Sequence, residues 1–153
     1  MLPSLYIADA HPFVYDGIRS LYDTRLFTLV GAAAHREQAH AEILHLLPDI
    51  VLLDLRLPGG DGNEWLAELR RSAPAVRLLA ISHATDCAPL LDALYVSAHA
   101  CMLTGELFAL LPAALPQIMQ GKRYVSPLVF DHLLDALLGA PRLHADTGAF
   151  SPA

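Results

Sequence analysis

The sequence predicts an α/β protein: a doubly wound, parallel, five-stranded sheet with helices on both faces, followed by a short C-terminal helix. Three observations lead there. Short apolar runs bounded by turns alternate with longer segments of helical period. The runs are apolar nearly throughout, as expected of strands covered on both faces. Five such strand–helix pairs follow in series, which implies right-handed crossovers between parallel strands.

The first strand is expected at Leu5–Ala8, followed by a helix at Pro12–Tyr22 with proline in its favourable first turn. Thr28–Ala32 reads as the second strand. The helix Arg36–Leu47 places Ala39, Ile43, Leu46 and Leu47 on one face. Ile50–Leu53 is the third strand, and Asn63–Arg71 a helix with Trp65, Leu66 and Leu69 inward. Leu78–Ile81 is the fourth strand, and Asp86–Val96 a helix turning Leu90, Leu91 and Leu94 inward.

Cys101–Leu103 is the fifth strand. The helical segment Leu107–Gln120 contains Pro112 and Pro116. An interior proline costs about 3 kcal/mol, so regular helix is expected to begin near Pro112 and to bend at Pro116. A short apolar helix is expected at Pro127–Leu138. The small, proline-rich tail from Gly139 is expected to be disordered.

Composition narrows the function classes. A chain of 153 residues that is 54% hydrophobic is long and apolar enough for one domain with a sizeable core. A net charge of −6 and the absence of any basic run argue against a free-standing nucleic-acid binder or a polybasic membrane patch. Cys87 and Cys101 read as reduced thiols of a cytoplasmic protein. The first residues lack the basic and apolar regions of a signal peptide. No apolar run reaches the roughly 18 residues that span a bilayer, so no membrane partner is expected. The eight histidines show no HExxH or finger spacing.

Ligands of open parallel sheets sit beyond the carboxyl ends of the strands. Asp9, Asp54 and Ser82 fall at those ends of the first, third and fourth strands. Their convergence marks a candidate metal or phosphate site. His11 and His83 flank it and could supply metal ligands, but read more simply as ordinary loop histidines. Asp61 reads as a turn residue before Gly62.

At these residues the chain resembles the CheY-like receiver domains of two-component response regulators, and most of all the NarL/FixJ type. "IADAHPFVYDGIRSLY" is similar to that type's opening, "PDIVLLDLRLPGGDGNEWLAELR" to its phospho-acceptor segment, and "GKRYVSP" to the end of its last receiver helix and the linker beyond. The resemblance implies a flavodoxin-like (βα)5 fold of strand order 2-1-3-4-5. It implies a receiver over residues 1–123 and, over 124–153, a linker carrying the helix 127–138 and the tail. Asp54 matches the aspartate that accepts a phosphoryl group from a histidine kinase. Asp9, Asp54 and the Arg56 carbonyl match Mg²⁺ ligands, Pro58 and Gly62 the turn residues beyond the acceptor, and Ser82 the switch hydroxyl.

Three family positions depart from the pattern. Ala10 stands where a second acid belongs, Thr104 where a lysine belongs, and Cys101 where an aromatic switch residue is common. Lys122 is the only lysine in the chain, so no other can take that place. Losing a lysine's charge-assisted bond to a phosphoryl group forfeits roughly 1.5–3 kcal/mol. Losing an acid and a base together leaves the formal charge of the resting pocket unchanged. Removing the lysine alone would crowd three carboxylates and raise the pKa of one.

The expected function is therefore that of an atypical receiver in signal transduction and transcription regulation, not an enzyme. It would require no cofactor, bind Mg²⁺ weakly if at all, and act through protein contacts or dimerisation. Two alternatives stay open: a working phospho-acceptor at Asp54 with Mg²⁺, and a receiver that binds a small ligand such as a nucleotide. The latter finds no glycine-rich phosphate loop to support it. Expected partners are a second copy of the chain and a histidine kinase or other signalling protein. DNA would be reached only through an output domain absent from this chain. The apolar stretch "PLLDALYVSAHACMLTGELFALLPAALP" is expected to expose Leu or Phe, and a homodimer is expected on this face or on the first and fifth helices.

Overall fold

A computed structural model describes residues 2–22, 25–83 and 87–139. The elements run β1 (Ser4–Ala8), α1 (Pro12–Tyr22), β2 (Thr28–Ala33), α2 (Arg36–Leu46), β3 (Ile50–Asp54), α3 (Gly62–Ser72), β4 (Arg77–Ser82), α4 (Ala88–Val96), β5 (Ala100–Leu103), α5 (Thr104–Met119), β6 (Tyr124–Val125) and α6 (Pro127–Leu138). The strands form one parallel sheet of order β2-β1-β3-β4-β5-β6. The expected order 2-1-3-4-5 is thus present, with a sixth, two-residue strand added beside β5.

Strand β3 lies at the centre and all five of its residues are buried. Its side chains alternate between two cores, as the period of a strand requires. Ile50 and Leu52 join Val14 and Ile18 of α1 and Leu107 and Leu111 of α5. Val51 and Leu53 join Ile43 of α2, Trp65 and Leu69 of α3 and Leu90 of α4. The helices therefore divide into two layers, with α1 and α5 on one face. Val129 of α6 is fully buried in the opposite core.

Three expectations need correction. Regular helix in α5 begins at Thr104, well before Pro112, and continues through both prolines. Its start is secured by Glu106, whose carboxylate accepts the Leu103 backbone N–H at 3.1 Å. The buried face of Leu107, Leu111, Ala114, Leu115 and Ile118 offsets the missing proline N–H groups. Leu46 and Leu47 do not share the inward face of α2; they are 42% and 59% exposed. The helix ends there because Leu47 turns left-handed (φ 47°) while its N–H bonds the Ile43 carbonyl at 2.8 Å. The stretch expected to expose Leu or Phe exposes neither strongly: α4 exposes Tyr95, and exposed Leu and Phe side chains lie instead on the neighbouring α6 (Leu128, Phe130, Leu134, Leu137, Leu138) and elsewhere, as at Phe13 of α1. The tail beyond 139 and the expected helix start at Asp86 lie outside the described residues.

Candidate functional site

The loop that follows β3 is built around Arg36. Its guanidinium donates to the carbonyls of Leu57 (3.1 Å), Gly60 (2.9 Å) and Asp61 (3.2 Å) and stands 5.0 Å over the Trp65 ring. Gly59 and Gly60 both adopt φ +131°, a region that side chains rarely enter. Gly62 is required by contact: a Cβ there would fall 2.0 Å from the Leu55 carbonyl oxygen. Asp61 is more than a turn residue. Its carboxylate caps α3, accepting the N–H groups of Asn63 (2.8 Å) and Glu64 (3.2 Å). Asp54 is thereby held between a buried strand and a stapled loop, and its Oδ1 accepts the Arg56 N–H at 2.9 Å.

The carboxyl ends of β1, β3 and β4 converge as the strand order demands. Asp9 follows β1, Asp54 ends β3 and Ser82 ends β4. All three are buried. Two histidines complete the cluster. His11 Nδ1 lies 2.8 Å from Asp9 Oδ1, which also accepts the His11 backbone N–H at 2.7 Å. His83 Nε2 lies 2.9 Å from Asp9 Oδ2. The same two nitrogens stand 3.8 and 3.6 Å from Asp54 Oδ2. The imidazole rings stack at 3.7 Å between centroids, and Phe13 packs edge-on against both. The two histidines expected to flank the site thus both reach the Asp9 carboxylate. The one available signal was their position, each just beyond a strand end.

Burial raises the Asp54 carboxyl above its usual range, and Asp9 adds to this; the Arg56 N–H, His83 and His11 act in the opposite direction. The only ion pairs made by Asp9 and Asp54 among the described residues are with these two histidines. An open cavity of about 490 Å³ lies over the site, lined by Ala10, His11, Asp54, Arg56, Pro58 and His83. Ala10 offers it only a methyl group. Thr104 donates its hydroxyl to the Ser82 carbonyl at 3.0 Å, tying the start of α5 to the end of β4. Cys101 lies away from the site in the opposite core, its thiol 3.8 Å from the Leu90 carbonyl and pushed by burial to about 12. At neutral pH it is an unreactive apolar filler.

This parallel sheet, with acids gathered at its carboxyl edge, defines the class. Residues 5–103 match the family model of the response regulator receiver domain, and the chain belongs to that family. It is 30% identical over 128 residues to the response regulator GacA of Pseudomonas viridiflava, covering 83% of this chain and 60% of that protein. It is 34% identical over 80 residues to the nitrate/nitrite response regulator protein NarL of Escherichia coli K12, covering 52% of this chain and 37% of NarL. The chain thus spans about 60% of the length of the GacA relatives.

Among solved structures, a LuxR-family two-component response regulator from Aurantimonas sp. SI85-9A1 matches with a TM-score of 0.81 and 28% identity, covering 90% of this chain and 99% of that one. The isolated receiver domain of RcsB from Salmonella enterica serovar Typhimurium, with the phosphomimetic BeF3−, matches with a TM-score of 0.77 and 25% identity, covering 86% and 98%. The chain is a receiver domain of two-component signalling, a family of signalling rather than catalytic modules. No described helix is long and apolar enough to cross a membrane.

Proposed function

We propose that this receiver is atypical: it responds weakly or not at all to Mg²⁺ and to phosphorylation at Asp54, and works through protein contacts. The observation that carries this reading is Asp9, whose two carboxylate oxygens each lie within 2.9 Å of an imidazole nitrogen. Mg²⁺ is a hard cation that favours oxygen ligands in near-ideal octahedral geometry. Asp9, Asp54 and the Arg56 carbonyl are the residues that would hold it. They fit it poorly, because Ala10 adds no oxygen and the imidazoles already occupy the oxygens of Asp9.

The phosphoryl side of the site is equally short of charge. Charge at phosphoryl oxygens must be neutralised by fixed cations or a metal. Thr104 brings none, and its hydroxyl is engaged with the Ser82 carbonyl. The Ser82 side chain could still turn toward a phosphoryl group, but no lysine stands at position 104 to help hold that group there.

RcsB dimers have been seen bound to DNA. For this chain we infer a homodimer, contact with a histidine kinase or another signalling protein, and DNA contact only through an output domain outside these residues. The dimer contact falls on the α4–β5–α5 face or on α1 and α5. Tyr95 of α4 is 91% exposed, and the exposed leucines of α6 extend the apolar surface beside α4. Light scattering at high protein concentration tests this, and a monomer throughout would contradict it.

The reading as a whole is tested by incubating the full chain with Mg²⁺ and acetyl phosphate and recording its intact mass. The expected result is little or no phosphoryl adduct. Rapid, Mg²⁺-dependent formation of an adduct that is lost in Asp54→Ala would instead support the working phospho-acceptor.

A further inference from the structure

We propose that the cluster Asp9–His11–Asp54–His83 is a site for an imidazole-binding divalent transition metal, with Zn²⁺ as the best fit. The inference uses the same pocket as the preceding reading, but stands or falls separately, since a receiver that binds no zinc can still ignore phosphorylation.

The geometry comes first. One ligand atom from each of the four residues lies within 4.8 Å of all the others. A tetrahedral Zn²⁺ with bonds of about 2.0–2.1 Å needs ligand atoms about 3.3–3.4 Å apart. The spacings of 3.6 Å (His83 Nε2 to Asp54 Oδ2) and 3.8 Å (His11 Nδ1 to Asp54 Oδ2) are already close to that. Asp9 would give one oxygen: the hydrogen-bond contact on that oxygen, 2.8 Å for His11 on Oδ1 or 2.9 Å for His83 on Oδ2, would open by about half an ångström as the metal entered, and the contact on its other oxygen would be given up.

The chemistry agrees. Two nitrogens and two carboxylate oxygens form a mixed set that suits zinc, copper, nickel or iron, whereas magnesium prefers oxygen alone. Both carboxylates are nearly inaccessible to solvent, at 0% and 2% side-chain exposure. No lysine or arginine ion pair neutralises them among the described residues. A bound dication would supply that missing charge. It would also fix the loop leaving β4, through His83, against the loop leaving β1, through His11.

The test uses the full chain and Co²⁺ as a spectroscopic stand-in, followed by Zn²⁺. The expected result is one Co²⁺ per chain with the intense visible bands of a tetrahedral site and no thiolate band, displaced by Zn²⁺ and untouched by excess Mg²⁺. His83→Ala and His11→Gln should each weaken binding at least about tenfold. His45→Ala, on α2 away from the cluster, should leave it unchanged. Circular dichroism confirms that each variant is folded; if one is not, the wild-type spectrum and stoichiometry still decide. No binding, a weak octahedral spectrum, or binding that survives both cluster variants would overturn the proposal. If Zn²⁺ fails to bind and acetyl phosphate also fails to modify Asp54, only the zinc proposal falls. If Zn²⁺ fails and Mg²⁺-dependent modification is rapid, both readings fall.

Discussion

His83 Nε2 lies 2.9 Å from Asp9 Oδ2, joining the loop after β4 to the end of β1 across the top of the central strand β3. The same nitrogen stands 3.6 Å from Asp54 Oδ2, so one imidazole reaches both acids. The contact bears on the stability of the resting protein as well as on its reactivity.

Asp54 is a buried carboxylate beside a second carboxylate, and among the described residues it makes no ion pair with a lysine or arginine. Its folded pKa is raised, so its ionisation opposes folding. Stability from this group is lost as pH rises from the ordinary carboxylate range through the raised value. Asp54→Asn keeps an acceptor for the Arg56 N–H and removes the charge. It should stabilise the chain by about 1–2 kcal/mol at neutral pH, read from urea midpoints. A less stable variant would show that the histidines already neutralise the site.

Gly62→Ala should cost about 3 kcal/mol, because the new methyl must displace the Leu55 backbone. Urea unfolding measures it. Gly105→Ala, with nothing within 4 Å of the added atom, is the control and should be near neutral.

Arg36 holds three carbonyls of the loop after β3 and covers Trp65. Arg36→Ala should cost about 2 kcal/mol and speed amide exchange across residues 55–61. Arg36→Lys should restore little of this, since an ammonium cannot span the three carbonyls. Full protection in the lysine variant would mean that charge alone holds the loop.

His99 is pulled down to about 4, chiefly by burial and then by Arg70, Arg77 and Arg123. Its Nδ1 accepts the Leu78 N–H at 2.9 Å, which requires the neutral ring. The unfolded histidine protonates near its ordinary value and the folded one does not. Stability is therefore lost as pH falls from about 6.5 toward 4 and levels below that. The loss by pH 5 should be on the order of 1 kcal/mol, allowing for the solvent that reaches this ring. His99→Asn can still accept the Leu78 N–H and should flatten that part of the curve. An unchanged slope would assign the acid sensitivity to other groups.

Much of this was legible in the chain. Strand runs such as Ile50–Leu53 are apolar because both faces are covered, and that indicated the layers; the order of the first five strands came only from the resemblance to receiver domains. Asp9, Asp54 and Ser82 were legible as strand-end residues. Other features depend on tertiary contacts that no local pattern encodes. The prolines of α5 suggested a late start, yet the Glu106 cap and a buried face extend the helix back to Thr104. Tyr124–Val125 is too short for any periodicity to mark as a strand. His11 and His83 are far apart in sequence, and only the pairing of β1 and β4 with β3 brings their rings together. Arg36 looked like the first residue of a helix, and its three carbonyl partners lie on a loop some twenty residues later.

The central claim is that imidazoles, rather than Mg²⁺ and a phosphoryl group, hold the acidic pocket. Its most direct test is the thermal stability of the full chain titrated with beryllofluoride in the presence of Mg²⁺. The expected result is no change in Tm across the titration. A saturable, Mg²⁺-dependent rise in Tm that disappears in Asp54→Ala would contradict it.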